Sequence, residues 1–287
     1  MARNPARARA SSTYDEVAHA SAAVVIGRYS TSFGWATRLL QQPVRTHVCS
    51  VYAFVRVADE LVDDESQPWD TDQRRRLLDG LQQETHRALA CGASANLVVH
   101  AFARTALEHG IGADLVDPFF AAMRADLSVR QHDTETLNRY VYGSAEVVGL
   151  MCLRVFVSGD DRRYEDLAPG ARRLGAAFQK VNFLRDLHSD HELLGRSYLP
   201  GVDRGTFTDR QRDELLDDID DDLRAAARAI EQLPPSSRRA VRAAHALFEA
   251  LSLRLRATPA QQIARERVRV PDLAKVRIIA RSALVAR

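Results

Sequence analysis

Two pairs of aspartates stand out in this sequence because each pair has the spacing Asp-x-x-x-Asp. Asp59 and Asp63 form the early pair, and Asp186 and Asp190 form the late pair. Residues four apart lie one turn above each other on the same side of a helix, so the carboxylates of each pair are neighbours. Neighbouring carboxylates repel each other unless a hard cation lies between them, and magnesium prefers oxygen ligands and also binds phosphates. We therefore predict that the two pairs meet across a helical bundle and form a site for a metal-bound diphosphate.

The late pair ends a helix face that carries amides as well as carboxylates. Gln179, Asn182 and Asp186 follow one another at intervals of three and four residues, so they share one face. Apolar residues such as Phe178 and Leu184 flank this polar stripe, and burying such a stripe is costly unless its groups have partners. Metal, water and diphosphate would provide those partners. An exposed, solvated helix face is the alternative interpretation.

The early pair ends a helix that is otherwise largely apolar. The apolar positions recur at helical spacing and comprise Val48, Val51, Tyr52, Val55 and Ala58. The two carboxylates lie beside Arg56 and not in a segment where positive and negative charges alternate. An exposed acidic helix end is the alternative interpretation, because a single Asp-x-x-x-Asp pair often occurs by chance.

Two further segments combine residue types that suit a substrate with a charged end and an apolar tail. In residues 140–151, the small residues Ala145 and Gly149 are one helical turn apart and leave a groove that would admit a hydrocarbon. Close helix packing is the alternative explanation for that pair. Residues 28–35 bring hydroxyl groups and aromatic rings together, and ordinary core packing with a helix cap is the alternative there.

The composition limits the classes of protein. Of 287 residues, 46% are hydrophobic, which is ample for one large core. The 40 basic residues nearly balance the 38 acidic ones, so bulk charge does not support nucleic-acid binding. Three cysteines without CxxC spacing favour a reducing, cytoplasmic location. We expect no membrane-spanning run, because Glu146 and Arg154 interrupt the most apolar stretch, residues 140–157.

The periodicity of apolar residues predicts one all-α domain. Residues 1–13 are expected to form a disordered tail, and residues 14–287 a single helical domain. The predicted helices span residues 14–27, 30–41, 44–64, 70–90, 95–109, 113–128, 134–158, 162–192, 208–232, 236–257 and 271–285. Five prolines are predicted to mark helix starts, where proline is tolerated, and they are Pro43, Pro118, Pro169, Pro235 and Pro271. Residues 195–208 are predicted to form a loop.

The four segments, in this order and at these separations, resemble the squalene/phytoene synthase family. The resemblance covers most of the chain and is most specific in the late segment. That segment reads Asn182-Phe183-Leu184-Arg185-Asp186, closes in Asp190, and is followed by Arg196, Tyr198, Leu199 and Pro200. Residues 140–156 look most like bacterial phytoene synthases of carotenoid biosynthesis.

The resemblance implies an all-α isoprenoid-synthase bundle with a central cavity and the aspartate pairs at its mouth. It implies a prenyltransferase that joins two geranylgeranyl diphosphates head to head, through prephytoene diphosphate, to give phytoene and diphosphate. Magnesium is the implied metal, with manganese as an alternative. No nucleotide cofactor is expected for phytoene formation.

The resemblance also implies roles for individual residues. The metal ions would be held by Asp59, Asp63, Asp186 and Asp190. The catalytic residues would be Tyr52, Tyr140, Arg56 and Arg185, with both arginines on diphosphate oxygens. Further substrate contacts would come from Ser30, Ser32, Phe33, Ala145, Gly149, Gln179, Asn182 and Arg196.

Two positions depart from the family pattern. Glu146 stands where members often have glycine, which would reshape the groove. No tyrosine occurs between Leu247 and Arg265, where members commonly have one in the penultimate helices. The second departure falls in the far wall of the expected cavity.

Three other functions remain open. A dehydrosqualene or squalene synthase acting on farnesyl diphosphate is the nearest alternative. The absence of a Gly-rich dinucleotide motif mildly favours phytoene or dehydrosqualene, because squalene formation needs a reductant. A non-catalytic assembly factor would be expected to lose at least one of the four aspartates, all of which this chain keeps. A synthase that cyclises one substrate would need a late motif that Asn182, Arg185 and Ser189 do not match.

The expected product is a hydrocarbon, so peripheral contact with the inner face of a membrane is expected for its release. The basic residues considered for that contact are Arg265, Arg267, Arg269 and Arg277. An ordinary solvated face is the alternative interpretation of these four. The sequence leaves the oligomeric state open.

Overall fold

The chain folds into a bundle of α-helices. The computed structural model describes residues 12–29, 32–64, 66–188, 195–203 and 205–284. The first half of the bundle comprises α1 (Thr13–Tyr29), α2 (Ser32–Thr37), α3 (Val44–Asp63), α4 (Thr71–Cys91), α5 (Leu97–His109) and α6 (Ala113–Ser128). The second half comprises α7 (Thr134–Val141), α8 (Val147–Val157), α9 (Asp161–Arg185), α10 (Asp209–Ile230), α11 (Pro235–Arg256), α12 (Ala260–Ile263) and α13 (Asp272–Leu284). These described ranges contain no strand, and the all-α fold class is confirmed.

Local sequence determines several helix boundaries. α4 begins at a capping box, in which the Asp70 side chain accepts a hydrogen bond from the Gln73 backbone and the Gln73 side chain accepts one from the Asp70 backbone. α4 and α5 end at Gly92 and Gly110, which have φ values of 80° and 71°. Such signals explain why the predicted boundaries of these two helices lie close to the observed ones.

Several other predicted boundaries are wrong. A π-helical turn, Tyr142–Glu146, interrupts the helix predicted at 134–158 and separates α7 from α8. The helix predicted at 162–192 is interrupted at Asp186, which follows the end of α9 at Arg185 and has non-helical backbone angles (φ −100°, ψ 10°). Leu187 and His188 are helical again, and residues 189–192 lie outside the described residues. The helix predicted at 30–41 ends earlier, at Thr37, and α12 lies outside every predicted helix. Most of the predicted tail, residues 1–11, lies outside the described residues.

Two of the five prolines do not mark helix starts. Pro235 is the first residue of α11, and Pro43 and Pro271 directly precede α3 and α13. Pro118 and Pro169 instead lie inside α6 and α9. An internal proline costs a helix about 3 kcal/mol. Burial of the apolar faces of these two helices offsets that cost, which local sequence signals do not reveal.

The bundle has two groups of packed helices. α3 packs against α1 and α5, and Phe54 of α3 stacks on Phe102 of α5 with ring centroids 3.9 Å apart. α9 packs against α8 and α10 in the second group. α3 also contacts α8, and α11 contacts both α9 and α2. The candidate site lies between these groups.

One run among the described residues, Thr134–Val157, is long and apolar enough to cross a membrane by length and composition. The expectation that no run reaches this length is therefore wrong. Half of the apolar window is buried inside the fold, and α8 packs against α6 and α9. These contacts favour a core helix, which passes the same test of length and composition.

Candidate active site

An apolar cavity of about 320 Å³ lies between α3, α8, α9, α10 and α11. Its wall on α3 includes Val51, Tyr52 and Val55, and its wall on α9 includes Phe178 and Asn182. The lining residues of α9 extend from Leu167 to Asn182, which corresponds to about 22 Å along the helix axis. The cavity is therefore elongated along α9, and Gln179 and Asn182 supply polar groups near one end.

Small residues both line this cavity and allow its walls to approach. A Cβ atom on Gly149 would lie 2.8 Å from the Ala171 carbonyl oxygen, and one on Gly175 would lie 2.6 Å from the Ala145 carbonyl oxygen. Ala145 and Gly149 also belong to the cavity wall. The two interpretations of this pair, a hydrocarbon groove and close helix packing, therefore both hold.

The early aspartates lie one and two turns beyond the cavity wall on α3. Val55 lines the cavity, and Asp59 and Asp63 follow at positions four and eight residues later. Asp59 Oδ2 accepts a hydrogen bond of 2.6 Å from Arg56 Nη1, and the other end of the Arg56 guanidinium pairs with Glu60. Arg56 Nε is buried without a hydrogen-bond partner among the described residues. This guanidinium thus keeps an unused donor beside the carboxylates.

Burial and mutual repulsion act on the early carboxylates. Burial, followed by the charge of Asp63, raises the pKa of Asp59 to about 7, and Asp126 adds to the repulsion. The Asp59 side chain nevertheless retains 34% exposure, so solvent screens part of this effect. Negative charge is therefore concentrated at this end of α3.

A buried carboxylate on α6, Asp126, connects the early pair to the rest of the site. The Tyr140 and Tyr198 hydroxyls each donate a hydrogen bond of 2.8 Å to Asp126. Arg196 Nη1 donates to Asp63 at 2.7 Å and lies 3.6 Å from Asp126. Burial raises the pKa of Asp126 to about 6, and Arg196 opposes that rise. This network fixes Arg196 against Asp63.

The loop that carries Arg196 is held by backbone pairing. Ser197 donates to the Arg130 carbonyl at 2.8 Å, and its own carbonyl accepts from the His132 backbone at 3.2 Å. The flanking Arg196 and Tyr198 therefore enter the core from a fixed piece of chain. The loop predicted at 195–208 is observed over its described residues.

The same network brings the early pair and the end of α9 together. Arg196 contacts Asp63 and also donates to the Tyr198 hydroxyl at 3.2 Å. The Tyr198 ring stacks on Phe183 of α9, with centroids 4.4 Å apart. The carboxyl ends of α3 and α9 therefore meet at the same end of the cavity. We refer to this end as the mouth.

Asp186 follows α9 at the mouth and is paired with two arginines. Arg185 Nε donates to Asp186 at 3.0 Å, and Arg267 Nε lies 2.7 Å from the same carboxylate. Arg267 comes from the segment before α13, so it belongs to the mouth and not to a separate basic surface. Asp190 lies outside the described residues, and the helical spacing of the late pair remains a prediction.

The other predicted site residues divide into three groups. The cavity wall contains Tyr52, Ala145, Gly149, Gln179 and Asn182. Tyr140 is 6% exposed and bonded to Asp126, and it is absent from the wall. Ser30 lies outside the described residues, as do the side chains of Ser32 and Phe33 in α2.

The two departures from the family pattern have local explanations. Glu146 accepts a hydrogen bond of 2.6 Å from Arg172 of α9 and is absent from the cavity wall, so it does not reshape the groove. Phe248 of α11 stacks on the cavity residue Phe178 with centroids 3.8 Å apart. An aromatic ring therefore supports this wall where no tyrosine is present.

Sequence reasoning missed Asp126. It lies on the buried face of α6, seven residues after Phe119 and three after Met123. A carboxylate in such an apolar stripe is the signal that could have identified it, because an unpaired buried charge is costly. Its partners could not be identified in this way, since Tyr140 and Tyr198 are distant in sequence.

Comparison with known proteins agrees with the geometry. The family model described as squalene/phytoene synthase matches residues 26–274, and the chain belongs to this family. Among curated relatives, the 15-cis-phytoene synthase of Paracoccus sp. is 29% identical over 87% of this chain and 86% of that protein. The bifunctional lycopene cyclase/phytoene synthase of Blakeslea trispora is 32% identical, over 61% of this chain and 31% of that protein.

The solved structures show the same fold. A dehydrosqualene synthase solved with a ligand superposes with a TM-score of 0.79 at 21% identity, covering 93% of this chain and 96% of that one. At this identity the likeness establishes the all-α isoprenoid-synthase fold alone. Membership of the squalene/phytoene synthase family, and not this likeness, makes the chain a prenyltransferase-type enzyme, and its substrate is a separate question.

Proposed function

We propose that this chain is a phytoene synthase, which joins two C20 geranylgeranyl diphosphates head to head. The observation that carries the proposal is an elongated apolar cavity with aspartates and arginines at one end. Such a cavity suits a molecule with an apolar tail and a diphosphate head. The curated relatives named phytoene synthase support the C20 substrate. We propose that residues 14–287 form the catalytic domain.

The residues at the mouth fit a divalent metal such as magnesium. The raised pKa of Asp59 reflects burial and then charge repulsion from Asp63, and a divalent cation would relieve that repulsion. These carboxylates and the Asp186 carboxylate provide the hard oxygen ligands that magnesium prefers, and manganese is an alternative. Asp190 is proposed as the fourth ligand from sequence alone. When bound, the metal would neutralise the leaving diphosphate.

The arginines of the mouth would bind the diphosphate. The orphaned Arg56 Nε would find an acceptor in a diphosphate oxygen. Arg185 and Arg267 now share Asp186, and an incoming diphosphate would compete for both guanidinium groups. Gln179 and Asn182 would hold the remaining oxygens and orient the first carbon toward the cavity. Ser30 and Ser32 are proposed as further contacts on the family resemblance alone.

The cavity would then direct the carbon chemistry. The C–O bond of one substrate breaks, its electron pair leaves with the diphosphate, and the allylic cation is attacked by the alkene of the second substrate. Loss of a proton closes the cyclopropane of prephytoene diphosphate. A second ionisation, rearrangement and proton loss give phytoene. The rings of Tyr52 and Phe178 would stabilise cations through their faces, and the apolar wall would exclude water.

Tyr140 is assigned a positioning role in this proposal. Burial and the neighbouring Asp126 raise its pKa well above the ordinary value, so its hydroxyl is a poor proton acceptor and a poor source of tyrosinate. Its hydrogen bond instead holds Asp126, which faces Arg196. The released diphosphate is the base that remains close to the reacting carbons.

The second candidate function is a dehydrosqualene or squalene synthase acting on C15 farnesyl diphosphate. A curated relative named 4,4'-diapophytoene synthase, 25% identical over 66% of this chain, favours this candidate. The two candidates differ in the length of tail that the deep end of the cavity admits. Release of either apolar product is proposed to involve peripheral membrane contact, with Arg265, Arg269 and Arg277 exposed for it.

The test is product analysis with both substrates. Purified protein and magnesium are incubated with C15 or C20 diphosphate, and the hydrocarbon is identified by mass spectrometry. Phytoene from the C20 substrate is expected, and conversion of C15 alone would replace the proposal with its alternative. Asp59→Asn and Asp186→Asn are expected to abolish turnover. Asp64→Asn, the same change one residue past the early pair, is the control and should retain it.

A further inference from the structure

A second cluster of metal-ligand side chains lies near the opposite end of α3. His47 in the first turn of α3 and Glu108 and His109 at the end of α5 have ligand atoms within 4.8 Å of one another. His47 and Asp59 are twelve residues apart, which corresponds to about 18 Å along the helix axis. The cluster is therefore separate from the mouth of the cavity.

The distances in this cluster approach those of a metal site. His47 Nε2 lies 3.6 Å from Glu108 Oε1, and His109 Nε2 lies 3.9 Å from the same oxygen. Ligand atoms bound to tetrahedral zinc at about 2.0–2.1 Å are separated by about 3.3 Å. Both carboxylate separations exceed that value by only a few tenths of an ångström. A rotation of the Glu108 side chain is enough to shorten them.

His109 provides a second, independent observation. Its side chain is 5% exposed, and neither ring nitrogen has a hydrogen-bond partner among the described residues. Burying polar atoms without partners is costly and rare in folded proteins. A metal ion on Nε2 would satisfy the nitrogen that faces Glu108. The orphaned imidazole thus points to a ligand at this place.

The surroundings orient the other ligands. His47 Nδ1 and Thr105 Oγ1 are 3.1 Å apart, and donation from Nδ1–H leaves the Nε2 lone pair facing Glu108. Burial lowers the pKa of His109 and lowers that of His47 to about 4, so both imidazoles are neutral near pH 7, as metal ligands must be. The Glu108 side chain is 59% exposed, which leaves a path for a metal and room for a water ligand.

We propose that His47, Glu108 and His109 bind one transition-metal ion of the zinc class. Two imidazole nitrogens and one carboxylate suit zinc, whereas magnesium prefers oxygen ligands alone. The bound ion would join the start of α3 to the end of α5. Its binding would stabilise the contact between these two helices, and it is independent of the proposed reaction at the mouth.

Zinc titration tests this site. The purified protein is treated with a chelator, dialysed, and titrated with zinc by calorimetry in excess magnesium, which occupies the carboxylates of the mouth. One zinc per chain is expected. A melting temperature about 5 °C higher is expected at a zinc concentration 100-fold above Kd. Absence of both effects would overturn the proposal.

Variants locate the bound zinc. Glu108→Gln changes a largely exposed side chain, so the fold is retained, and zinc affinity should fall about tenfold or more. His109→Gln should have the same effect. His86→Gln is the matched control, because His86 pairs with Asp117 at the surface, outside the cluster. The His86→Gln protein should bind zinc with unchanged affinity. Unchanged affinity in Glu108→Gln, or equal losses in Glu108→Gln and His86→Gln, would overturn the proposal.

Discussion

Replacement of Asp59 by asparagine is expected to stabilise the metal-free protein while it abolishes turnover. Burial and the Asp63 charge raise the pKa of Asp59 from its ordinary 3.8 to about 7. The difference corresponds to about 4 kcal/mol of unfavourable free energy for the ionised form. Because 34% of the side chain is exposed, solvent screening reduces this to about 2 kcal/mol. An ionised carboxylate that destabilises the ligand-free fold is typical of sites whose charges are arranged for a ligand.

The sign of the pH dependence follows from the direction of the shift. The folded-state pKa lies above the unfolded value, so the stabilising contribution of protonated Asp59 is complete below about pH 4 and is lost as pH rises through about 7. Asparagine does not ionise. The advantage of Asp59→Asn should therefore be about 2 kcal/mol at pH 8 and about 1.4 kcal/mol at pH 5.

The assay is urea unfolding in EDTA at pH 5 and pH 8. Asp64→Asn is the matched control, because a hydrogen bond from the Ser66 hydroxyl lowers the pKa of Asp64. The ionised form of Asp64 is therefore favoured in the folded protein, and Asp64→Asn should lower the free energy of unfolding at pH 8. Loss of stability in Asp59→Asn at pH 8 would refute the reasoning. An advantage of equal size at both pH values would refute it as well.

Three other substitutions, and a control for the first of them, test the packing around the site. Gly149→Ala should lower the free energy of unfolding by about 1–3 kcal/mol, because the new Cβ lies 2.8 Å from the Ala171 carbonyl. Gly80→Ala, at an open position in α4, should raise it by about 0.5–1 kcal/mol, and equal effects would contradict the packing argument. Tyr198→Phe removes one of the two hydroxyl donors to Asp126 and should cost about 1–3 kcal/mol in urea unfolding, whereas no loss would count against the network. Ala240→Phe places a ring in the cavity wall on α11 and should lower kcat/KM for the C20 substrate about tenfold or more relative to C15, and an unchanged ratio would contradict the assigned cavity.

The cavity wall on α9 could be predicted from the sequence because one uninterrupted helix carries it. Gln179 and Asn182 lie on one face with Asp186 one turn later, and apolar residues flank them. Helical periodicity alone places such residues relative to one another. Tyr52, which the family resemblance assigned to the active site, lies in the wall on α3, where Val51 and Val55 also line the cavity.

The position of Tyr140 could not be predicted in the same way. The π-helical turn between α7 and α8 contains an extra residue per turn, so it rotates the preceding face relative to the following one. The helix face that carries Ala145 and Gly149 therefore does not continue back to Tyr140, and regular helical spacing gives the wrong position for this tyrosine. The turn itself depends on contact with α6, because a Cβ on Gly143 would lie 2.3 Å from the Pro118 carbonyl oxygen. Tertiary contacts of this kind leave no local signal.

Binding of inorganic diphosphate tests the central claim most directly, namely that the early and late aspartates bind one metal-bound diphosphate at the mouth of the cavity. Calorimetry with and without magnesium should give magnesium-dependent binding. Asp59→Asn and Asp186→Asn should each weaken that binding about 10–100-fold. The double variant should be weakened by less than the product of the two effects, because the residues share one ligand. Binding that is independent of magnesium, or that is unchanged in either single variant, would contradict the account.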